Sequence, residues 1–466
     1  MSGPTAAVPA PEAVAPSWLD RALVVFTEVH AGEGAKGVAL LASVFLLLAT
    51  NYFLKPARDG LLAISDVPGL SGLEIKAYSS FGQSLLLLAI MPLYGHLSSR
   101  LSRSRLVTRV TLFFIAGLLV FWALQPGLFV RGVPSIGIVF YLWVGIFNVF
   151  VVFQFWSFAA DLYGAESGRR LFPLIGIGAA LGSTVGSWIA KELVSSGVVG
   201  TWGLVLAAAG LLASSLALMR FAETRDGGGS GVVAAPPGIS TARGGALRLV
   251  FGHRYLLATA IVLLLLNWVK TNSDNLLFAA VQEVLQGDVA AQALTDPAAI
   301  DDFVRDRTTI FYGDLFFWIN LTALCLQALV ASRVLRYAGF GFLITVLPVV
   351  SAVSYSALLA FPLLRLFRVT KIAEDAVNYS LNNTALQVLW LPTRRDMKYR
   401  AKAAIDTVFV RVGDGMAALT AFVGIHVLIL PVATFFAVNA ALGVVWVVLA
   451  LVIAREHRRL TGTFHV

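Results

Sequence analysis

Asp226-Gly227-Gly228-Gly229-Ser230-Gly231, running on through Pro236-Pro237-Gly238 to Gly244-Gly245, is the stretch on which the architecture turns. It has no apolar face to bury, and its glycine, proline and serine content is that of a flexible linker. The chain on either side of it is oily. Upstream, apolar runs fall at 37–57, 79–97, 106–125, 136–158, 171–189 and 202–219; downstream, at 255–284, 309–332, 338–361, 364–391, 402–427 and 431–454. Each is about the 20 residues that a helix needs to cross a bilayer. The spacing therefore predicts an all-α membrane protein with about twelve transmembrane helices in two six-helix halves. The expected divisions are a cytoplasmic N-terminal tail over 1–35, an N-terminal bundle over 36–222, the linker over 223–253, a C-terminal bundle over 254–454 and a cytoplasmic tail over 455–466.

Composition agrees. Of 466 residues 58% are hydrophobic and only 13% charged, with a mean hydropathy of +0.82, more than a water-facing surface accommodates. A soluble enzyme, a disulfide scaffold and a disordered chain are excluded. The single cysteine, Cys325, lies between Leu324 and Leu326, so a disulfide or cysteine metal site within the chain has no second partner. The net charge of +9 resembles that of a nucleic-acid binder until its bases are placed. Arg100, Arg103, Arg105 and Arg109 share one side with Arg394, Arg395, Lys398, Arg400, the linker and the tail carrying Arg455, Arg458 and Arg459. The opposite connections hold Arg131, Lys191 and a segment from Gly287 to Thr308 with five aspartates against Arg305 and Arg307. Lysine and arginine gather on the cytoplasmic side, so both termini are expected inside, and the charge reflects orientation, with no nucleic-acid partner. The first residues lack the features of a signal or transit peptide, pointing to the plasma (inner) membrane of a prokaryote.

Ionisable side chains inside oily spans cost about 2.5 to 3.5 kcal/mol each on insertion scales and normally face a partner or a wet cavity. Four groups stand out. At the end of the first span, Lys55 and Asp59 are spaced to pair along a helix, freeing Arg58 to meet an anion; snorkelling to the interface is the alternative. In the seventh, Asn267-Trp268-Val269-Lys270-Thr271-Asn272-Ser273-Asp274-Asn275 interrupts the apolar run and repeats the four-residue spacing at Lys270 and Asp274. The tenth carries Arg365, Arg368, Lys371, Glu374, Asp375, Asn378 and Asn382 every three to four residues, one polar stripe on a membrane helix. The eleventh opens with Lys402 and Asp406 and continues with Arg411 and Asp414, pairs suited to gating or to purely structural contacts. Asp314 stands alone in the eighth span, a candidate proton carrier. The histidines form no cluster, no phosphate-binding Gly-x-x-x-x-Gly-Lys loop occurs, and no metal or other cofactor is expected. Gly178, Gly182 and Gly186 mark one face of the fifth span for close helix packing.

Six spans, a linker and six spans is the plan of the major facilitator superfamily, whose loop signature Gly95-His96-Leu97-Ser98-Ser99-Arg100-Leu101-Ser102-Arg103-Ser104-Arg105 resembles with Ser99 and Ser102 in place of the usual Asp and Gly. More specifically, Leu54-Lys55-Pro56-Ala57-Arg58-Asp59-Gly60-Leu61, Phe155-Trp156-Ser157-Phe158-Ala159 followed by Arg169-Arg170-Leu171-Phe172, and Lys402-Ala403-Ala404-Ile405-Asp406 together resemble the non-mitochondrial ATP/ADP translocases and their bacterial relatives. The resemblance spans roughly residues 36–454. It implies a carrier exchanging ATP for ADP, with Arg58 and Lys402 as its important cations. One family glutamate falls near Val144, and a second has at best Asp274 as counterpart. The expected carrier alternates access, functions as a monomer in the bilayer and binds a small anionic substrate, ATP or ADP, among Arg58, Lys270, Arg368, Lys371, Asn378, Asn382 and Lys402. Lys55, Asp59, Asp274, Glu374, Asp375, Asp406, Arg411 and Asp414 serve as ion pairs or gates. The competing readings are a proton-coupled carrier of another organic solute and a non-transporting membrane sensor or scaffold.

Overall fold

The computed structural model describes residues 30, 33–130, 133, 135–163, 165–224, 243–393, 401, 402 and 404–462. The N-terminal tail to residue 29, most of the glycine-rich linker and the basic run 394–400 lie outside them. Six helices form the first half: α1 (Gly34–Ala63), α2 (Gly72–Arg100), α3 (Arg103–Ala123), α4 (Ile136–Leu162), α5 (Ala165–Ser195) and α6 (Thr201–Thr224). A short α7 (Arg243–Gly252) precedes the second half. That half comprises α8 (Arg254–Ala291), α9 (Pro297–Tyr337), α10 (Gly339–Ala360), α11 (Leu364–Val377), α12 (Asn383–Leu389), α13 (Ile405–Val427) and α14 (Val432–Gly462).

Eleven of these are long and apolar enough to cross a membrane. The tenth expected span is the remainder, broken by a π-turn at Asn378–Asn382 into α11 and α12 and carrying the charged stripe. Several helices run further than hydropathy suggested. The second starts at Gly72 and not near 79, because Ser71 and Glu74 form a reciprocal capping box at its first turn. The acidic segment expected as a loop from 287 to 308 is mostly helix, with only a short corner between Ala291 and Pro297.

Each half has its own apolar core. Leu40, Val44, Phe140, Phe147, Phe155 and Leu212 are buried at the heart of the first, and Leu277, Phe278, Leu343, Leu347, Tyr355 and Trp446 at that of the second. Successive spans run antiparallel, so the corners at 64–71, 196–200, 292–296 and 428–431 share one end of the bundle, opposite the end at which α6 stops at Thr224 and α7 begins at Arg243, here termed the linker end. Among the described residues, the polar bonds between halves run from the middle of the bundle to that far end. Thr201 Oγ1 donates to Asp306 (2.7 Å), Asn320 Nδ2 to the Ser183 carbonyl (3.3 Å), and His426 Nε2 meets Glu74 Oε1 (2.5 Å).

The glycine stripe on α5 lies against the backbone of α1. A Cβ at Gly178 would sit 2.7 Å from the Leu41 carbonyl oxygen, and one at Gly186 2.6 Å from Ala49 Cα; Gly182 faces the Phe45 backbone in the same way. Backbone contact this close needs residues without side chains. Gly182→Val is expected to lower stability by about 1–3 kcal/mol through overpacking, read as a fall in the thermal unfolding midpoint of the detergent-purified protein. Gly210→Ala, where a Cβ meets nothing within 4 Å, should leave it unchanged.

Candidate functional site: a charged chamber between the halves

Where the halves face each other, a chamber of about 280 Å³ is lined by residues of both. It concentrates the charges that hydropathy rejects. Lys55, Arg58 and Asp59 come from α1, Lys76 from α2, Lys270 and Asp274 from α8, Lys371 and Asp375 from α11, and Arg411 and Asp414 from α13. Six bases face four acids, so the wall carries an excess of two positive charges.

The compensation is uneven. In the second half, Asp274 accepts from Lys270 (2.9 Å) and is ion-paired with Lys371 (2.6 Å), and Asp375 lies 3.3 Å from Lys371 and 4.0 Å from Lys270. Two lysines and two aspartates thus neutralise one another, with Lys371 and Asp375 almost fully buried. Arg411 reaches Asp414 at 3.4 Å, and Asp414 also accepts from Thr271 (2.8 Å) and, across the interface, from Ser84. In the first half, three cations stand against one carboxylate, that of Asp59. It pairs with Lys76, while Arg58 Nε stands 3.6 Å away and donates no hydrogen bond among the described residues. The Arg58 guanidinium is instead stacked 4.4 Å from the centre of Tyr141. Lys55 has no carboxylate within 4 Å among the described residues and rests on the rings of Tyr52 (4.5 Å) and Phe316 (5.8 Å). An aromatic face offsets part of a cation's desolvation and leaves the charge open to an anion.

This corrects the expected helical pair: Lys55 and Asp59 do not bond, because Lys76 from the neighbouring helix takes the aspartate. Lys76 itself escaped the sequence reading. With the second span expected from 79, Leu73-Glu74-Ile75-Lys76 read as a loop; the capping box at Ser71 was the signal that it is helix. Lys76 also hangs over Tyr141 (4.6 Å), Phe278 (5.1 Å) and Tyr312 (5.9 Å), the last two from the opposite half. A second cavity of about 700 Å³ lies beyond this layer toward the far end. Ile75 faces it where Lys76 faces the chamber, and Phe278 where Leu277 does, so one layer of side chains separates the two spaces.

Other expected residues lie elsewhere. Asp314 is not a lone carboxylate: Arg368 of α11 bonds it, and Lys191 of α5 reaches it across the interface at 3.7 Å, where Gly313 lets the two helices approach. Arg368 is therefore occupied in the seam between halves and is absent from the chamber wall. Glu374 is buried within the second half, bonded by the hydroxyls of Ser351, Tyr355 (3.1 Å) and Ser273 (3.4 Å). Asn378 and Asn382 bond each other (2.9 Å) across the π-turn, outside the wall. Lys402 and Asp406 are both exposed, toward the linker end, and form no ion pair within 4 Å among the described residues; the π-turn Ile405–Phe409 begins between them. No group of histidine, cysteine or acidic side chains fit to hold a metal ion occurs among the described residues.

Residues 319–464, which include the charged tenth span and the Lys402–Asp406 segment, match the family model described as TLC ATP/ADP transporter. The match covers about the C-terminal third of the chain. The transporter is similar in structure to a bacterial homologue of the iron transporter ferroportin in its inward-facing state (TM-score 0.61, 13% identity, covering 90% of this chain and 98% of that one). It is also similar to the POT family transporter PepTSo (TM-score 0.60, 13% identity, 91% and 98%) and to the nucleoside transporter NupG (TM-score 0.59, 14% identity, 89% and 98%). At such identities the likeness carries the fold, which is that of the major facilitator transporters. No curated protein matches the sequence. The protein is accordingly a multi-pass secondary transporter of the membrane and not an enzyme.

Asp375→Ala should leave the buried Lys371 with Asp274 alone. Removing one partner of a buried pair costs about 3–5 kcal/mol, and the second aspartate should hold the loss near the lower figure, about 3 kcal/mol. A thermal unfolding midpoint equal to the parent's would contradict the assigned network.

Proposed function

We propose that the transporter exchanges ATP for ADP, or a closely related phosphorylated anion, by alternating access of the chamber to the two sides of the membrane. The observation that carries this reading is the surplus of cations in a site enclosed by both halves. Arg58, which stacks on Tyr141 and shares Asp59 with Lys76, and Lys55, which rests on aromatic rings alone, are poised for the several negative charges of a polyphosphate; a guanidinium offers the paired donors that phosphate oxygens accept. Lys270 faces them from the other half, so an anion between Arg58 and Lys270 touches both rocking bodies, as a substrate must if its binding is to favour their movement. The carboxylates Asp59, Asp274 and Asp375 neutralise the chamber in part when it is empty, and an incoming phosphate competes with them. The family description agrees in naming ATP and ADP. The distribution of bases supports cytoplasmic termini and a plasma membrane location, and the chamber is walled by the two halves of the one chain, in keeping with a functional monomer.

Proteoliposomes loaded with ADP should take up labelled ATP, and empty vesicles should not. Arg58→Gln is expected to reduce both nucleotide binding and exchange at least tenfold while membrane insertion is unchanged. Lys402→Gln, outside the chamber, should slow exchange with little loss of affinity, consistent with a role on the path to the site. Loaded vesicles that take up no more than empty ones, with folded protein, would remove the nucleotide reading.

A further inference from the structure

Four aromatic residues, Tyr141, Tyr312, Phe316 and Tyr379, line the chamber, and three already have partners. Tyr141 carries Arg58 and Lys76, Tyr312 lies under Lys76 and beside Phe316, and Phe316 packs against Tyr52 with Lys55 above it. Tyr379 differs. Among the described residues no cation stands over its ring, no other ring packs on it and its hydroxyl makes no hydrogen bond. It is 39% exposed where Tyr141 and Tyr312 are each 5% exposed. A large ring left bare in the wall of a charged chamber is surface that a ligand can cover.

Its position along the tenth span adds direction. Tyr379 follows Asp375 by four residues and Lys371 by eight, which keeps all three on one helix face and sets the ring about 6 Å and about 12 Å along the axis from them, toward the linker end. The chamber cations therefore lie deeper, and the bare ring lies nearer the linker end. The π-turn Asn378–Asn382, which contains Tyr379, widens the helix locally at this point.

We propose that Tyr379 is the platform on which the base of the nucleotide stacks, with the phosphates held deeper between Lys55, Arg58 and Lys270. The assignment rests on the nucleotide reading above and extends it to the orientation of the substrate, phosphates first and base toward the linker end. Stacking of a base on an aromatic side chain is sequence-tolerant, because every base offers a π-face. Tyr379 thus distinguishes nucleotides from bare polyphosphates more than it distinguishes adenine from other bases.

The test is equilibrium binding to the detergent-purified full chain, with ATP and inorganic tripolyphosphate as the two probes. Tyr379→Ala should weaken ATP by about tenfold and leave tripolyphosphate unchanged, and Tyr379→Phe should bind both as the parent does. Equal losses for the two probes in Tyr379→Ala, or no loss for ATP, would overturn the assignment. So would a Tyr379→Phe variant as weak toward ATP as Tyr379→Ala, since that would make the hydroxyl the contact. A parent that binds tripolyphosphate but not ATP refutes the base platform and leaves an anion chamber standing, whereas a parent that binds neither refutes the nucleotide reading as well.

Discussion

A charged side chain buried in a membrane protein needs an opposite charge, a polarised neighbour or water, and the helices of this transporter are arranged around meeting that need. Lys371, almost fully buried, has two aspartates; Asp414 has an arginine and two hydroxyls. Neutralisation is near complete in the second half. In the first half Asp59 serves Lys76 and Arg58 together, and Lys55 is left to aromatic faces. The incomplete balance is the chemical content of the site, because the missing negative charge is what a substrate can supply.

The same constraint joins the halves. Charges that define the chamber are distributed over α1, α2, α8, α11 and α13, so no single bundle holds the site. Bonds outside the chamber continue the seam toward the far end, where Lys191 and Arg368 converge on Asp314 and Glu74 meets His426. α11 takes part in both, with Arg368 in the seam one turn from Lys371 in the wall. A change of charge in the chamber and a change of contact in the seam therefore act on one helix.

Much of this was legible in the sequence because membrane crossing imposes a coarse, strong pattern. Length, linker and apolar runs led to the two halves, and ionisable residues inside oily runs marked Arg58, Lys270, Lys371 and Arg411 as facing something other than lipid. What escaped was partner choice. Asp59 looked like the mate of Lys55 at helical spacing, yet Lys76 on another helix holds it; Asp314 looked solitary, yet its bases come from α5 and α11. Such pairings are set by how helices pack, which the spacing along one helix does not encode. Lys76 and Glu74 were lost for a related reason: a window that scores apolar content reads charged helix as loop, although the capping box at Ser71 announces the helix locally. Lys402 and Asp406 belong to a segment that resembles an ATP/ADP translocase motif but sit outside the chamber, since a shared motif fixes register in the chain and not which face of the helix meets the cavity.

The central claim is that the chamber recognises its substrate first by negative charge. Titration calorimetry of the purified transporter with ATP and with uncharged adenosine, each at low and at high salt, tests it most directly. The account predicts heat of binding for ATP that weakens as salt rises and no measurable binding for adenosine. Adenosine binding as tightly as ATP, with neither sensitive to salt, would contradict it.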